Sequence, residues 1–151
     1  PDESRPVRVE IADLFREVRD LTAPRCHHAG VRLECATTAG AVVGRREALR
    51  AALVNLALNG IDAAGRDGTV RLAAAERAGR VSLVVEDTGP GPPEHIRDTL
   101  HEPFVTGKPE GIGLGLAVAG AVAEAHGGAL AWDRADGLTR FTLSLPTEEV
   151  P

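Results

Sequence analysis

Two stretches of this chain read as β-hairpins, and they narrow the available folds more than any other feature. TVRLAAAE and RVSLVVED alternate apolar and polar side chains on either side of RAGR, the pattern of two half-buried strands joined by a tight turn. ALAWDR and RFTLSLP repeat the arrangement around Asp136-Gly137, a dipeptide suited to a two-residue hairpin loop. Two shorter runs, VRLECA and AVVG, also read as strands, and residues 1–9 read as an extended lead-in.

Helical periods fill the spaces between these strands. Ile11, Leu14, Phe15, Val18 and Leu21 open a helix that residues 25–30 close, with Gly30 as its C-cap. Residues 47–64 form a second helix, with Leu49, Leu53, Leu56 and Gly60 on one face and Gly65 as its stop. Residues 114–126 form a third, ended by Gly127-Gly128. Residues 92–100 can form a short helix after two prolines, and residues 101–112 have turn chemistry and no period. Helices alternating with tightly connected strand pairs predict an α+β fold. It is a two-layer α/β sandwich whose mixed, mostly antiparallel sheet packs against three main helices.

With 151 residues, the chain suits one domain, 1–151. Its net charge of −5, with acids and bases interspersed, gives no basic stripe, so no nucleic-acid partner is expected. No signal peptide is visible, and no apolar run nears the roughly 20 residues that span a bilayer. The chain begins at Pro1 and contains no methionine, so it reads as a piece of a longer protein whose parent could be membrane-anchored. Cys26 and Cys35 have no CxxC spacing, which fits a reduced, cytoplasmic setting.

Three constellations carry chemistry. In NLALNGIDAA, Asn55 and Asn59 stand four apart and project from one helix face. They either bridge within the core or offer an amide oxygen to Mg²⁺, an ion that takes few protein ligands beside phosphate oxygens. In VVEDTGPG, Asp87 ends a strand ahead of Gly89 and Gly91. It either starts a turn or accepts a hydrogen bond from an exocyclic amine while the glycines admit a flat ring. In HEPFVTGKPEGIGLGLA, Gly111, Gly113 and Gly115 run into a helix, where bare backbone N–H groups can hold phosphate. The GxxxxGK[ST] and GxGxxG patterns are both absent.

Together, in this order, the three supply metal ligation, base recognition and phosphate cradling. The sequence resembles the catalytic and ATP-binding domain of bacterial sensor histidine kinases, of the Bergerat (GHKL) fold, along nearly its whole length. GRREALRAALVNLALNGIDAA is similar to the N box, VEDTGPG to the G1 box, HEPFVTGKPEGIGLGLA to the F and G2 boxes, and GLTRFTLSLP to the closing strand. The short lid, residues 105–111, and NGIDAA resemble the nitrogen-sensor (NtrB-like) branch.

The resemblance implies ATP and Mg²⁺ as cofactors. Asn59 would bind Mg²⁺ with Asn55 in support, and Asp87 would bind the adenine amine. Gly89 and Gly91 would shape the adenine pocket, with Asp62 and Thr139 also in the nucleotide site. Phe104 would anchor the lid, Thr106 would line it, and Lys108 would reach the terminal phosphate as a catalytic group with Asn55 and Asn59. Gly111, Ile112, Gly113, Leu114 and Gly115 would hinge the lid and meet the phosphates.

Some positions depart from the family. His101 stands at an aromatic F-box position, Ile112 where Thr is frequent, Leu138 where Gly is frequent, and Gly60 where Ala is usual. His101 reads as a lid contact, since the family's phosphoacceptor histidine lies on a separate dimerising helix. His27, His28, His95 and His126 read as structural.

ATPases and serine kinases of the fold use a Glu general base where Asn55 stands. A neutral amide cannot take that proton, whereas imidazole already carries a nucleophilic lone pair near pH 7. The resemblance therefore implies transfer of the γ-phosphoryl to a histidine on a dimerisation domain missing here, for relay to a response regulator. The fragment alone would be a monomer that binds ATP with little turnover. The alternatives are a nucleotide-binding pseudokinase and an anti-sigma-type regulatory module.

Overall fold

The computed structural model describes residues 5–37, 40–91 and 112–147. The chain runs β1 (Val7–Glu10), α1 (Ile11–Ala29), β2 (Arg32–Thr37), β3 (Ala41–Gly44), α2 (Arg46–Ala64), β4 (Thr69–Arg77), β5 (Arg80–Asp87), α3 (Ile112–Ala125), β6 (Ala129–Ala135) and β7 (Leu138–Pro146). Each expected helix and hairpin among these residues is present, with ends within two residues of the sequence reading. The expected short helix over 92–100 lies outside the described residues, as does the expected loop at 101–112 except for Ile112, which is the first residue of α3.

Both hairpins close through two-residue turns in the left-handed region. Ala78 and Gly79 have φ of 54° and 76°, and Asp136 and Gly137 have φ of 54° and 77°. Two successive positive φ values make a type I′ turn, whose twist matches that of the flanking strands. The helix ends follow glycine as well. Gly30 adopts φ 71°, its N–H donates to His27 O, and Val31 N–H donates to Cys26 O. Gly127 and Gly128 repeat that pattern at α3, donating to Glu124 O and Ala123 O. These paired bonds satisfy carbonyls that the last helical turn leaves open.

The sheet order corrects one implication of the sequence. β2 and β3 are neighbours in the chain but do not pair. β1, expected only as an extended lead-in, pairs antiparallel with β3 in a small two-stranded sheet. β2 joins the main sheet instead, parallel to β4, giving the order β2-β4-β5-β7-β6. The remaining pairings are antiparallel.

One layer is helical, the other is this five-stranded sheet. The inner sheet face carries Val70, Leu72, Val81, Leu83, Val85, Leu143 and Leu145, all buried. α1 buries Ile11, Leu14, Phe15 and Val18 against it, α2 buries Leu49, Leu53, Leu56 and Ile61, and α3 buries Leu116, Ala119 and Ala123. Thr22 is the one polar core residue of α1, and its hydroxyl donates to Val18 O within the helix. α2 is the central helix, in contact with α1, α3 and the β4–β5 hairpin.

Candidate functional site

The site grows from the end of β5. Inward positions of that strand are apolar up to Val85, and the next inward position is Asp87, only 3% exposed. Val70 of β4 and Thr139 of β7 flank it in register. A carboxylate there loses hydration on both sides. Burial pushes the Asp87 carboxyl up from the usual range, while the Gly89 N–H and the charge of Arg134 pull it down, and the upward push wins. Gly89 N–H donates to Asp87 Oδ1 at 2.9 Å, so the residue also starts a turn. The described residues supply no donor to Oδ2. The turn reading of Asp87 is therefore present at Oδ1, and it does not use Oδ2.

The glycines allow helix and loop to touch. A Cβ on Gly89 would lie 2.3 Å from Ala63 O of α2. A Cβ on Gly60 would lie 3.5 Å from Asp87 Cβ. α2 is thus pressed against the strand end, which brings Asn59, beside Gly60, to the same end of the fold. Gly91 has φ 85°, where L side chains are strained, and a Cβ would lie 3.1 Å from Thr139 Oγ1.

The two asparagines differ. Asn55 Nδ2 donates to Ala51 O at 2.8 Å, which anchors the amide on its own helix. Asn59 Nδ2 is buried and has no hydrogen-bond partner among the described residues. An unmade bond of this kind costs about 1–3 kcal/mol. Core bridging, the alternative for the pair, is not seen at this Nδ2 among the described residues. A buried N–H₂ without an acceptor is open to an acceptor atom of a ligand, and the same amide's oxygen is a neutral donor of the kind a hard divalent cation takes.

Other expected residues fall into three groups. Thr139 is 1% exposed and lies beside Asp87 and Gly91. Asp62 is engaged by Arg25 of α1 at 2.7 Å, with more than half of its side chain exposed. Ile112, Gly113, Leu114 and Gly115 form the first turn of α3, where the first four N–H groups have no intrahelical acceptor. Phe104, Thr106, Lys108 and Gly111 lie outside the described residues, as do His95 and His101.

One residue of this corner escaped sequence reasoning. Arg134 Nη1 donates to Gly89 O at 2.8 Å and to Thr139 Oγ1 at 2.6 Å. Its signal was present: Leu130, Trp132 and Arg134 alternate on β6, so an arginine follows two apolar residues on the inward face.

A buried acceptor that ends a strand beside a glycine loop has the chemistry to receive the amine of a nucleobase. The chain belongs to the family of histidine kinase-, DNA gyrase B- and HSP90-like ATPases, which it matches over residues 44–149. It is 34% identical over 155 aligned positions to the C4-dicarboxylate transport sensor protein DctS of Rhodobacter capsulatus, covering 93% of this chain and 22% of that protein. It is 33% identical to the corresponding sensor protein DctB of Rhizobium meliloti, covering 76% of this chain and 19% of that one. It thus spans about a fifth of the length of these relatives. Among solved structures, the catalytic domain of the histidine kinase ThkA superposes with a TM-score of 0.83 at 25% identity, covering 95% of this chain and 96% of that one. Full-length ShkA, solved in complex with AMPPNP, matches at 0.80 and 31%, covering 96% of this chain and 32% of that one. The α+β sandwich is the Bergerat fold of histidine-kinase catalytic domains.

Proposed function

We propose that this chain is the ATP-binding catalytic domain of a cytoplasmic sensor histidine kinase module. It positions Mg·ATP and passes the γ-phosphoryl to a histidine on a separate dimerisation domain of the same protein, for relay to a response regulator. The observation that carries this reading is Asp87: a carboxylate 3% exposed that ends β5, one oxygen of which receives no donor from the described residues, beside Gly89 and Gly91, whose missing side chains let α2 and Arg134 close in around it. Asp87 accepts from the adenine amine. Gly89, Gly91 and Thr139 shape the surrounding wall.

Asn59 would hold Mg²⁺, with the amide oxygen of Asn55 in support. When bound, the ion neutralises phosphate charge. The first turn of α3, from Ile112 through Gly113, Leu114 and Gly115, offers N–H donors to phosphate oxygens. In the sequence before it, Phe104 and Thr106 belong to the lid, Gly111 to its hinge, and Lys108 to the terminal phosphate. Asp62 enters the site only by exchanging Arg25 for a ligand. Asn55 cannot act as a general base, which supports transfer to a histidine over hydrolysis.

Calorimetric titration with AMPPNP, with and without Mg²⁺, tests the reading. Mg²⁺-dependent binding is expected, and Asp87→Asn should weaken it by about tenfold or more, the worth of a hydrogen bond to a charged group. Absence of binding by a folded chain would instead support a module that signals without nucleotide.

A further inference from the structure

Arg134 stands on the inward face of β6, partly buried, where a cation is costly unless its donors are used. Among the described residues it makes no ion pair. Its hydrogen bonds go to two neutral acceptors, Gly89 O on the loop after β5 and Thr139 Oγ1 on β7. It reaches them across Gly91, where a Cβ would lie 2.9 Å from Arg134 Cδ. Gly91 therefore lacks a side chain for a second reason beyond its φ of 85°: the arginine fills that space. Gly89 is bonded at both ends, its N–H to Asp87 and its carbonyl to Arg134.

We propose that Arg134 is a positioning residue for nucleobase recognition, a strut from the edge strand that holds the Asp87–Gly91 loop and Thr139 in their binding geometry. The inference rests on the reading of Asp87 as the acceptor for the base. Without the strut, Gly89 O and Thr139 Oγ1 lose their shared donor. The loop keeps the Asp87–Gly89 bond and the bonds of Thr88 to Thr69, none of which reaches Gly89 O or Thr139 Oγ1.

Charge gives a second, separable consequence. The elements packed around Asp87 face it with Gly60 and Ala63 from α2, Val70 from β4, Thr139 from β7 and Arg134 from β6, so Arg134 is the charged neighbour among them. Burial raises the carboxyl and Arg134 opposes the rise. Removing the cation lets the carboxyl take a proton at higher pH. A protonated carboxyl is a poorer acceptor for an amine, so affinity is lost sooner on acidification.

The test is AMPPNP titration of the whole chain with Mg²⁺ across pH 5–8 for wild type, Arg134→Met and Arg134→Lys, with Asp87→Asn as control. Arg134→Met is expected to bind about tenfold more weakly at pH 7, the scale of a charge-assisted hydrogen bond, and its acid limb should move to higher pH. Arg134→Lys should restore the acid limb while recovering only part of the affinity. A purely structural arginine would lower thermal stability without moving the pH profile. The proposal is overturned if Arg134→Met binds as wild type does, or if it binds weakly with an unmoved acid limb. Should Arg134→Met not fold, Arg134→Lys decides: unchanged affinity at every pH rejects the strut. If Asp87→Asn abolishes binding while the Arg134 variants leave it intact, the strut fails and the site stands. If wild type does not bind, both fail. Independently of nucleotide, the amide resonances of Gly89 and Gly91 should shift in Arg134→Met.

Discussion

Gly60 and Gly89 both let α2 approach the end of β5, but they differ in what a methyl group would strike. At Gly89 it would overlap backbone, 2.3 Å from Ala63 O and 2.6 Å from its carbon. Neither atom can move without shifting the helix. At Gly60 the nearest atom is Val70 Cγ2 at 3.3 Å, the tip of a side chain. Alanine also favours a helix interior over glycine by about 1 kcal/mol. Gly89→Ala is therefore expected to destabilise by about 1–3 kcal/mol, as overpacking does, and to impair AMPPNP binding. Gly60→Ala should change stability by less than about 1 kcal/mol and retain binding. Urea denaturation of the two variants separates these outcomes, and equal losses would contradict the geometry. The pair also shows what a residue-level reading could see. Gly60 stood out as a departure from the usual Ala, yet its clearance from Val70 exists only once β4 lies beneath α2.

The ends of the elements are where helix meets helix. His126 follows α3, and its Nδ1 lies 2.7 Å from Val122 O, while its Nε2 accepts the N–H of Arg45 at 3.0 Å. Arg45 is the N-cap residue of α2 and has no side-chain cap bond of its own. The imidazole thus caps one helix from the end of another. Gly44 makes room for it, since a Cβ there would lie 2.7 Å from the ring. His126→Ala removes two hydrogen bonds and opens that space. A loss of about 1–3 kcal/mol is expected, read as a lower urea midpoint with an unchanged slope. A loss within error would mean that water replaces the ring at no cost. His126 was read from sequence as structural by default. Its partner Arg45 lies 81 positions away, a separation that no local pattern encodes.

Across the whole molecule, the outer sheet face carries one row of charge. Glu34, Arg71, Glu86, Arg140 and Asp133 stand in register across β2, β4, β5, β7 and β6, alternating in sign. Glu86 sits at the centre, its side chain 11% exposed, 3.5 Å from Arg71 and 3.7 Å from Arg140. Arg140 also bonds Asp133 at 3.0 Å. Opposite charges facing across strands are worth about 0.2–1 kcal/mol each. Glu86→Ala removes two such pairs and leaves two arginines without their shared partner. It should destabilise the fold by about 1–2 kcal/mol, and by less in about 1 M salt, where the screening length falls to about 3 Å. Salt-independent destabilisation would assign the loss to packing instead.

The sequence by itself determined the kind and order of the elements, because the signals are local. A 3.6-residue period, a two-residue period and a glycine at a helix end act within a few positions. It also contained the residue types of the site, since Asn55, Asn59, Asp87 and the glycine runs are each confined to one short segment. Tertiary structure alone decided that β2 leaves β3 for a parallel place beside β4, because a strand edge accepts any partner until the apolar faces of all the elements are buried together. It alone decided that Arg134 serves Gly89 and Thr139. A guanidinium has five donors and no intrinsic partner, and only the packed fold brings those two acceptors within its reach.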